Sequence, residues 1–275
     1  MLKVALILVS LLWISPAAEP PVPVVDTLPG NFCDTENYCW QGGEQITYTL
    51  YYQLEFIWIA AGRATFKVDD LGDRYHITVV GETINAFEWF YEVNDYYESV
   101  IDKQTLLPMS FSRDIQEGKY VWWDKFTFDQ ENNIVHATKG WPDKPTKTYS
   151  EKLSTCMHDL ISIVYNVRNV DFDKYEKGDQ FGVKVFIEEE YPLQVEVADK
   201  NLVTKIRHMG KHRTTLIKPQ MVEGHFFKED TRMDVYLSAD QNRIPLMIES
   251  PVSVGKVKAV LTDYKGLKYP LASAE

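Results

Sequence analysis

From Glu44 onward the chain settles into a hydrophobic period of two. Ile46, Tyr48, Leu50, Tyr52 and Leu54 alternate with Gln45, Thr47, Thr49, Tyr51 and Gln53, as a strand with one buried face requires. The same period returns in Ala64-Phe66-Val68, Tyr75-Ile77-Val79, Phe126-Phe128, Phe181-Val183-Val185-Ile187, Met233-Val235-Leu237 and Val257-Ala259-Leu261. Between these runs lie short polar breaks at 69–73, 117–118, 131–133, 209–211 and 240–242. Their Gly, Asn and Asp residues carry turn chemistry, so the pattern predicts an antiparallel meander. The expected fold is mainly β: a large curved antiparallel sheet, half-barrel or barrel-like.

One stretch departs from this period. Leu160, Ile161, Val164, Tyr165 and Arg168 fall at helical spacing, which predicts a helix over 159–168. Ser154 or Thr155 is available as its N-cap, and Arg168 suits its C-terminal dipole. A single apolar-faced helix among many strands is expected on the concave side of the sheet.

The amino-terminal segment reads differently again. Lys3, the apolar run Val4 to Ile14 and the small residues Ser15-Pro16-Ala17-Ala18 have the layout of a secretory signal peptide. The apolar run is shorter than the ~20 residues that a spanning helix needs. The expected organisation is a signal peptide over 1–18, a Pro-rich leader over 19–43 and one β-rich domain over 44–270, with no transmembrane segment after cleavage. The protein is then exported, to the periplasm or cell envelope of a bacterium.

Charge narrows the partners. The whole chain carries a net −11. Loss of Lys3 leaves 28 basic against 40 acidic side chains, a net −12. That balance argues against nucleic acid and against docking to anionic lipid surfaces. Cys33 and Cys39, six apart, are a disulfide candidate in an oxidising compartment, with Cys156 left over; free buried thiols are the alternative for each.

Motifs for catalysis or metal binding do not assemble. The acids Asp171, Asp173, Glu176 and Asp179 lack the oxygen ligand and Gly at the fifth and sixth positions of an EF-hand, so a solvated loop is expected. His208 and His212 flank Gly210 in strand-like surroundings, without HExxH. GxSxG, CxxC, P-loop and GxGxxG patterns are absent. No metal, cofactor or catalytic residue is assigned. Aromatic pairs remain: Tyr51-Tyr52, Trp89-Phe90-Tyr91, Tyr96-Tyr97 and Trp122-Trp123 place large side chains on both faces of the sheet. Leu54 to Ala61 adds further apolar residues at an expected turn. Trp58, Trp89, Trp122 and Trp123 are therefore the candidate ligand-binding residues, beside the plainer reading of core burial.

Several short motifs follow one another in a recognisable order. They are Gly43-Glu44, Thr47-Tyr48, Ala61-Gly62, Phe90-Tyr91, Ser99-Val100-Ile101-Asp102, Leu107-Pro108, Asp159-Leu160 with Tyr165 and Arg168, Ser238 to Pro245, and Gly255 to Ala259 with Tyr264. In this the chain resembles the bacterial exported proteins of the domain-of-unknown-function 3108 family, most specifically over YLSADQNRIPLMIESPVSVGKVKAVL. The resemblance implies a mostly antiparallel β fold, similar in outline to the half-barrels of envelope lipoprotein carriers. It implies no reaction and no catalytic residues. Ser238 to Pro245 is expected as a hairpin turn, with a binding loop as the alternative.

The expectation for function is a non-enzymatic envelope protein whose curved sheet holds an apolar or amphipathic, lipid-like molecule. The alternatives are an envelope assembly or scaffold protein using an aromatic surface against another envelope protein, and a carboxylate enzyme acting on polysaccharide.

Overall fold

The computed structural model describes Cys33 and residues 35–84, 92–221, 231–252 and 255–274. The expected signal peptide, most of the leader and the candidate Trp89 lie outside the described residues.

The first meander runs through β1 (Gln45–Leu54), β2 (Ile57–Asp70), β3 (Arg74–Thr83), β4 (Asn94–Asp102), β5 (Pro108–Glu117), β6 (Tyr120–Asp129), β7 (Ile134–Trp141) and β8 (Lys144–Lys152). The second contains β9 (Gln180–Phe186), β10 (Glu190–Ile206), β11 (Gly210–Pro219), β12 (Asp234–Ser238), β13 (Pro245–Pro251) and β14 (Lys256–Lys265). All fourteen belong to one sheet, in the order β8-β7-β6-β5-β4-β3-β2-β1-β14-β13-β12-β11-β10-β9. Every pairing between these strands is antiparallel. The mainly β expectation holds, and the five polar breaks all fall at strand ends.

The inner face follows from alternation. Ile46, Tyr48 and Leu50 of β1, Ile77 and Val79 of β3, Phe111 and Ile115 of β5, and Phe126 and Phe128 of β6 share one buried cluster. Each such side chain removed from water contributes roughly 1.5–3 kcal/mol.

Residues 153–179 connect the sheet's two edge strands, β8 and β9. They include a helix, α1 (Ser162–Val167), and a single 3₁₀ turn at Phe172–Lys174. Ile161 and Tyr165 enter the main cluster. Ile163 and Val167 pack instead on a second cluster built from Phe172, Phe181, Val195, Ile217 and Leu237. The inner face beside α1 is therefore filled by side chains. Trp40 completes this plug, stacked edge-on at 5.0 Å from Tyr165 and donating its indole N–H to the Tyr165 carbonyl.

Two local expectations are corrected. The helix has six residues rather than ten, beginning at Ser162 and ending at Val167, and the turn that leads into it is tied by Asp159, not by Ser154 or Thr155. One Asp159 oxygen accepts the N–H groups of Ile161 and Ser162 at 2.7 and 2.8 Å, and the other accepts the Ser99 hydroxyl. Ser154 instead donates to Glu190. Burial pushes the Asp159 carboxyl up to about 6, against the pull of those hydrogen bonds.

The disulfide joins Cys33 to Cys156, 123 residues away, and not to Cys39. The seating of Trp40 carries Cys39 into the core, where its thiol meets the Arg168 carbonyl at 2.9 Å. Burial pushes that thiol's pKa up, which suits an inert core residue. Sequence spacing carried no information about the approach of Cys156.

The two edges are protected differently. β8 is exposed at every position but Tyr149 and carries Lys144, Pro145, Lys147 and Lys152, residues that discourage edge-to-edge pairing. On the β9 edge, His158 forms a parallel bridge with Val185, donating its N–H to Lys184 and accepting from Phe186.

Candidate functional site

Two buried arginine–carboxylate pairs lie on the inner side of the sheet. At the plugged end, Arg168 donates to both oxygens of Glu44 at 2.6 and 2.9 Å. Its Nε reaches the Asn242 carbonyl at 3.1 Å, and Nη2 the Cys39 carbonyl at 3.4 Å. Burial opposes the charge on Arg168, but the Glu44 carboxylate outweighs it and holds the guanidinium protonated.

Around this pair, the turn from Ser238 to Pro245 is tied by its own side chains. Ser238 donates to Asp240, and Asp240 accepts the Asn242 and Ala272 N–H groups. Asn242 bonds Tyr269 through both ends of its amide. The expected hairpin turn is present. Glu44, Arg168 and the Ser238–Pro245 run thus converge in one clamp that locks α1, the β12–β13 turn and the chain's last segment together.

The second pair belongs to the wall. Tyr97 of β4, Arg113 of β5, Asp124 of β6, Lys139 of β7 and Lys147 of β8 are successive cross-strand partners. They form one row across the inner face, with neighbouring strands ≈ 4.7–4.9 Å apart. Arg113 contacts Asp124 at 2.7 and 3.0 Å, both side chains being at most 1 % exposed. Glu188, in the β9–β10 turn, pairs with Lys139 and stands 3.9 Å from Arg113. Burial pushes the Asp124 carboxyl up, while Arg113 pulls it back. Burial likewise works against the Arg113 charge, and Asp124 restores it.

Aromatic rings line the same row. The Arg113 guanidinium lies 4.5 Å from the Trp122 ring centroid and the Lys139 ammonium 4.6 Å from it. Lys139, Lys144 and Lys147 stand 5.4, 5.4 and 5.8 Å from the ring centroid of Trp141. Exposure rises along the row, from Arg113 and Asp124 through half-buried Lys139 and Glu188 to exposed Lys147. Beneath it, Asp95 of β4 accepts the Gln116 N–H at 2.9 Å through one oxygen. Its other oxygen is buried with no hydrogen-bond partner among the described residues. Burial pushes the Asp95 carboxyl up to about 7, with nearby Glu117 adding to the rise. Fixed cations over aromatic faces, beside a carboxyl that titrates near neutrality, can hold a molecule with both apolar and charged parts.

The sequence-selected tryptophans separate. Trp122 joins the row and is 4 % exposed. Trp123 points to the outer face, 36 % exposed, and its indole covers Gly140, where a Cβ would sit 2.4 Å from the ring. That contact explains its orientation without a ligand. Trp58, on β2, lies under the Lys258 ammonium at 4.6 Å, away from the row. Sequence reasoning missed Asp95, Arg113, Asp124, Lys139, Trp141 and Glu188. The available signal was phase: Arg113 falls between Phe111 and Ile115, and Asp124 between Trp122 and Phe126, at positions where a core residue was due.

Other features have structural employment. Asp171 pairs with Lys174, and Asp179 accepts the Glu176 N–H. His212 is buried between the Ser273 hydroxyl and the Met209 carbonyl. A groove of about 350 Å³ lies between the 3₁₀ turn and the β12–β13 turn, lined in part by Phe172, Lys200, Asp240 and Arg243. Its two cations already bond the Tyr175 and Val170 carbonyls.

A family model described as "Protein of unknown function (DUF3108)" matches residues 47–262. The chain belongs to the DUF3108 family. The match takes in the whole wall row and Arg168, whereas Glu44 lies just before it. No curated protein matches the chain significantly. Among solved structures, this DUF3108 chain is similar to a beta-barrel-like protein of domain of unknown function DUF1849 from Brucella abortus. The identity is 9 %, the TM-score 0.54, and the likeness covers 84 % of this chain and 100 % of that one. That likeness shows the fold and carries no activity. No helix among the described residues is long and apolar enough to cross a membrane.

Proposed function

We propose that this DUF3108 protein is a non-enzymatic, exported envelope protein that holds an amphipathic molecule against the inner wall of its curved sheet. The carrying observation is the wall row itself: Trp122 and Trp141 interleaved with Arg113, Lys139, Asp124 and Glu188, on the same face as the apolar core. Beside α1 the inner face is filled, which moves the site to the wall. The Cys33–Cys156 bridge supports an oxidising compartment. A polysaccharide-cleaving reading draws no support from Asp124, which has both oxygens on Arg113.

A second reading, an assembly component, draws support from the β1–β2 turn, where Phe56 is 94 % and Ile57 67 % exposed. One experiment separates the two. The full chain is purified from its own envelope and examined by native mass spectrometry. The amphiphile reading expects a lipid-sized adduct that Trp141→Ala loses while the protein stays folded. The scaffold reading expects a co-purifying protein lost in Phe56→Ser/Ile57→Ser. Wild-type protein free of adduct, or Trp141→Ala protein that keeps it, overturns the amphiphile reading.

A further inference from the structure

We infer that the bound molecule carries a phosphate-type oxyanion, and that Lys139, Lys144 and Lys147 around Trp141 form the seat for it. This rests on the proposed function and names the chemistry of its ligand. Charge alternates along the inner wall from Arg113 to Asp124 to Lys139. At the outer step the alternation fails, because Lys147 stands directly opposite Lys139. Like charges in that position repel. Glu188 neutralises Lys139, and Asp124 is already engaged by Arg113. Lys144 and Lys147 make no ion pair with any described residue; both gather on the Trp141 ring.

Two ammonium groups without counter-ions among the described residues, on one indole in a chain of net −11, are an unusual local excess of positive charge. An oxyanion between them restores the alternation as its next negative member. The Trp141 face and the apolar wall behind it then receive the attached chain. Both lysines are exposed, so the seat is reached from solvent without opening the core. Asp143, in the intervening turn, is the nearest acid in sequence, and it forms no ion pair with either lysine.

The test uses the full chain and isothermal titration with four probes: dodecyl phosphate, dodecylphosphocholine, dodecyl maltoside and inorganic phosphate. Dodecyl phosphate is expected to bind about tenfold more tightly than the maltoside at low salt, and to lose that margin at high salt. Lys144→Gln/Lys147→Gln should remove the margin while leaving maltoside binding and the melting temperature unchanged. Lys265→Gln, an exposed lysine on β14, should behave as wild type. Equal binding of all three amphiphiles, unaffected by the double substitution, overturns the oxyanion seat and leaves the amphiphile reading standing. Inorganic phosphate binding as tightly as dodecyl phosphate supports the seat and overturns the amphiphile. No binding of any probe overturns both.

Discussion

The two buried arginine pairs have the same chemistry and different consequences. Arg168 spends its remaining donors on backbone carbonyls of Cys39 and Asn242, joining segments more than a hundred residues apart in one direction and seventy in the other. Arg113 faces Asp124 across a single hairpin, eleven residues away, and its surroundings are side chains: Trp122, Glu188 and, through Asp124, Lys139. The first network closes on itself inside the plug. The second continues, charge by charge, to the solvent. Burial of a charge therefore does not separate a structural clamp from a candidate site; the fate of the remaining contacts does.

The sharpest way to break the comparison is to replace each pair by leucines. Glu44→Leu/Arg168→Leu strands two buried carbonyls as well as removing the pair, and should cost about 4 kcal/mol or prevent folding. Arg113→Leu/Asp124→Leu leaves no stranded backbone group and should fall within about 1 kcal/mol of wild type, as buried pairs replaced together commonly do. Urea unfolding of the two variants side by side decides it, and equal losses would remove the distinction.

The division between the two regions also governs what the sequence discloses. Strands with an apolar inner face, such as β1, β3 and β14, announce themselves by alternation. β4 and β5 do not, because their buried positions include Asp95, Ser99 and Arg113. The period of two is intact there, but in size and burial rather than in polarity. Two of the three residues that hide these strands from the hydrophobic pattern, Asp95 and Arg113, belong to the candidate site, and the third, Ser99, to the plug. The plug was half visible. Asp159, Tyr165 and Arg168 stood out in the resemblance, but their partners Ser99, Glu44 and Asn242 come from distant strands and turns that only the sheet order brings close. The Cys33–Cys156 pairing was hidden for the same reason.

A second measurement sharpens the contrast from the plug side. The disulfide closes a long loop and ties Cys33 to Cys156, shortly before the helix, so Cys33→Ser/Cys156→Ser should cost about 2–4 kcal/mol. Cys39, now buried, should become accessible to alkylation, while dodecyl phosphate binding at the wall persists. A variant with unchanged melting temperature and a still-protected Cys39 would show that the bridge is dispensable to the plug.

The smallest effect belongs to the wall. Asp95 titrates at about 7 in the folded protein, well above its ordinary 3.8. The folded state thus holds its proton more tightly than the unfolded chain does. The resulting stabilisation is complete below about pH 4 and is lost as pH rises through 7. Asp95→Asn mimics the protonated form, so its stability relative to wild type should climb between pH 4 and 8 by roughly 2 kcal/mol, relaxation around the charge being allowed for. Parallel stability curves across that range would mean that Asp95 ionises without cost, and that the wall is wetter than its burial indicates.

The position of β1 next to β14 has a consequence for assembly. Each meander is built from neighbouring strands and can form from local contacts alone. The seam between the meanders pairs Tyr52 with Val257 and Gln45 with Lys265, across almost the entire length of the folded chain, and it lies in the interior of the sheet, not at an edge. Contacts of that separation carry the largest loop-closure cost and slow folding most. Pairing of β1 with β14 is therefore expected to be a late step in folding, because it joins the two meanders into one sheet.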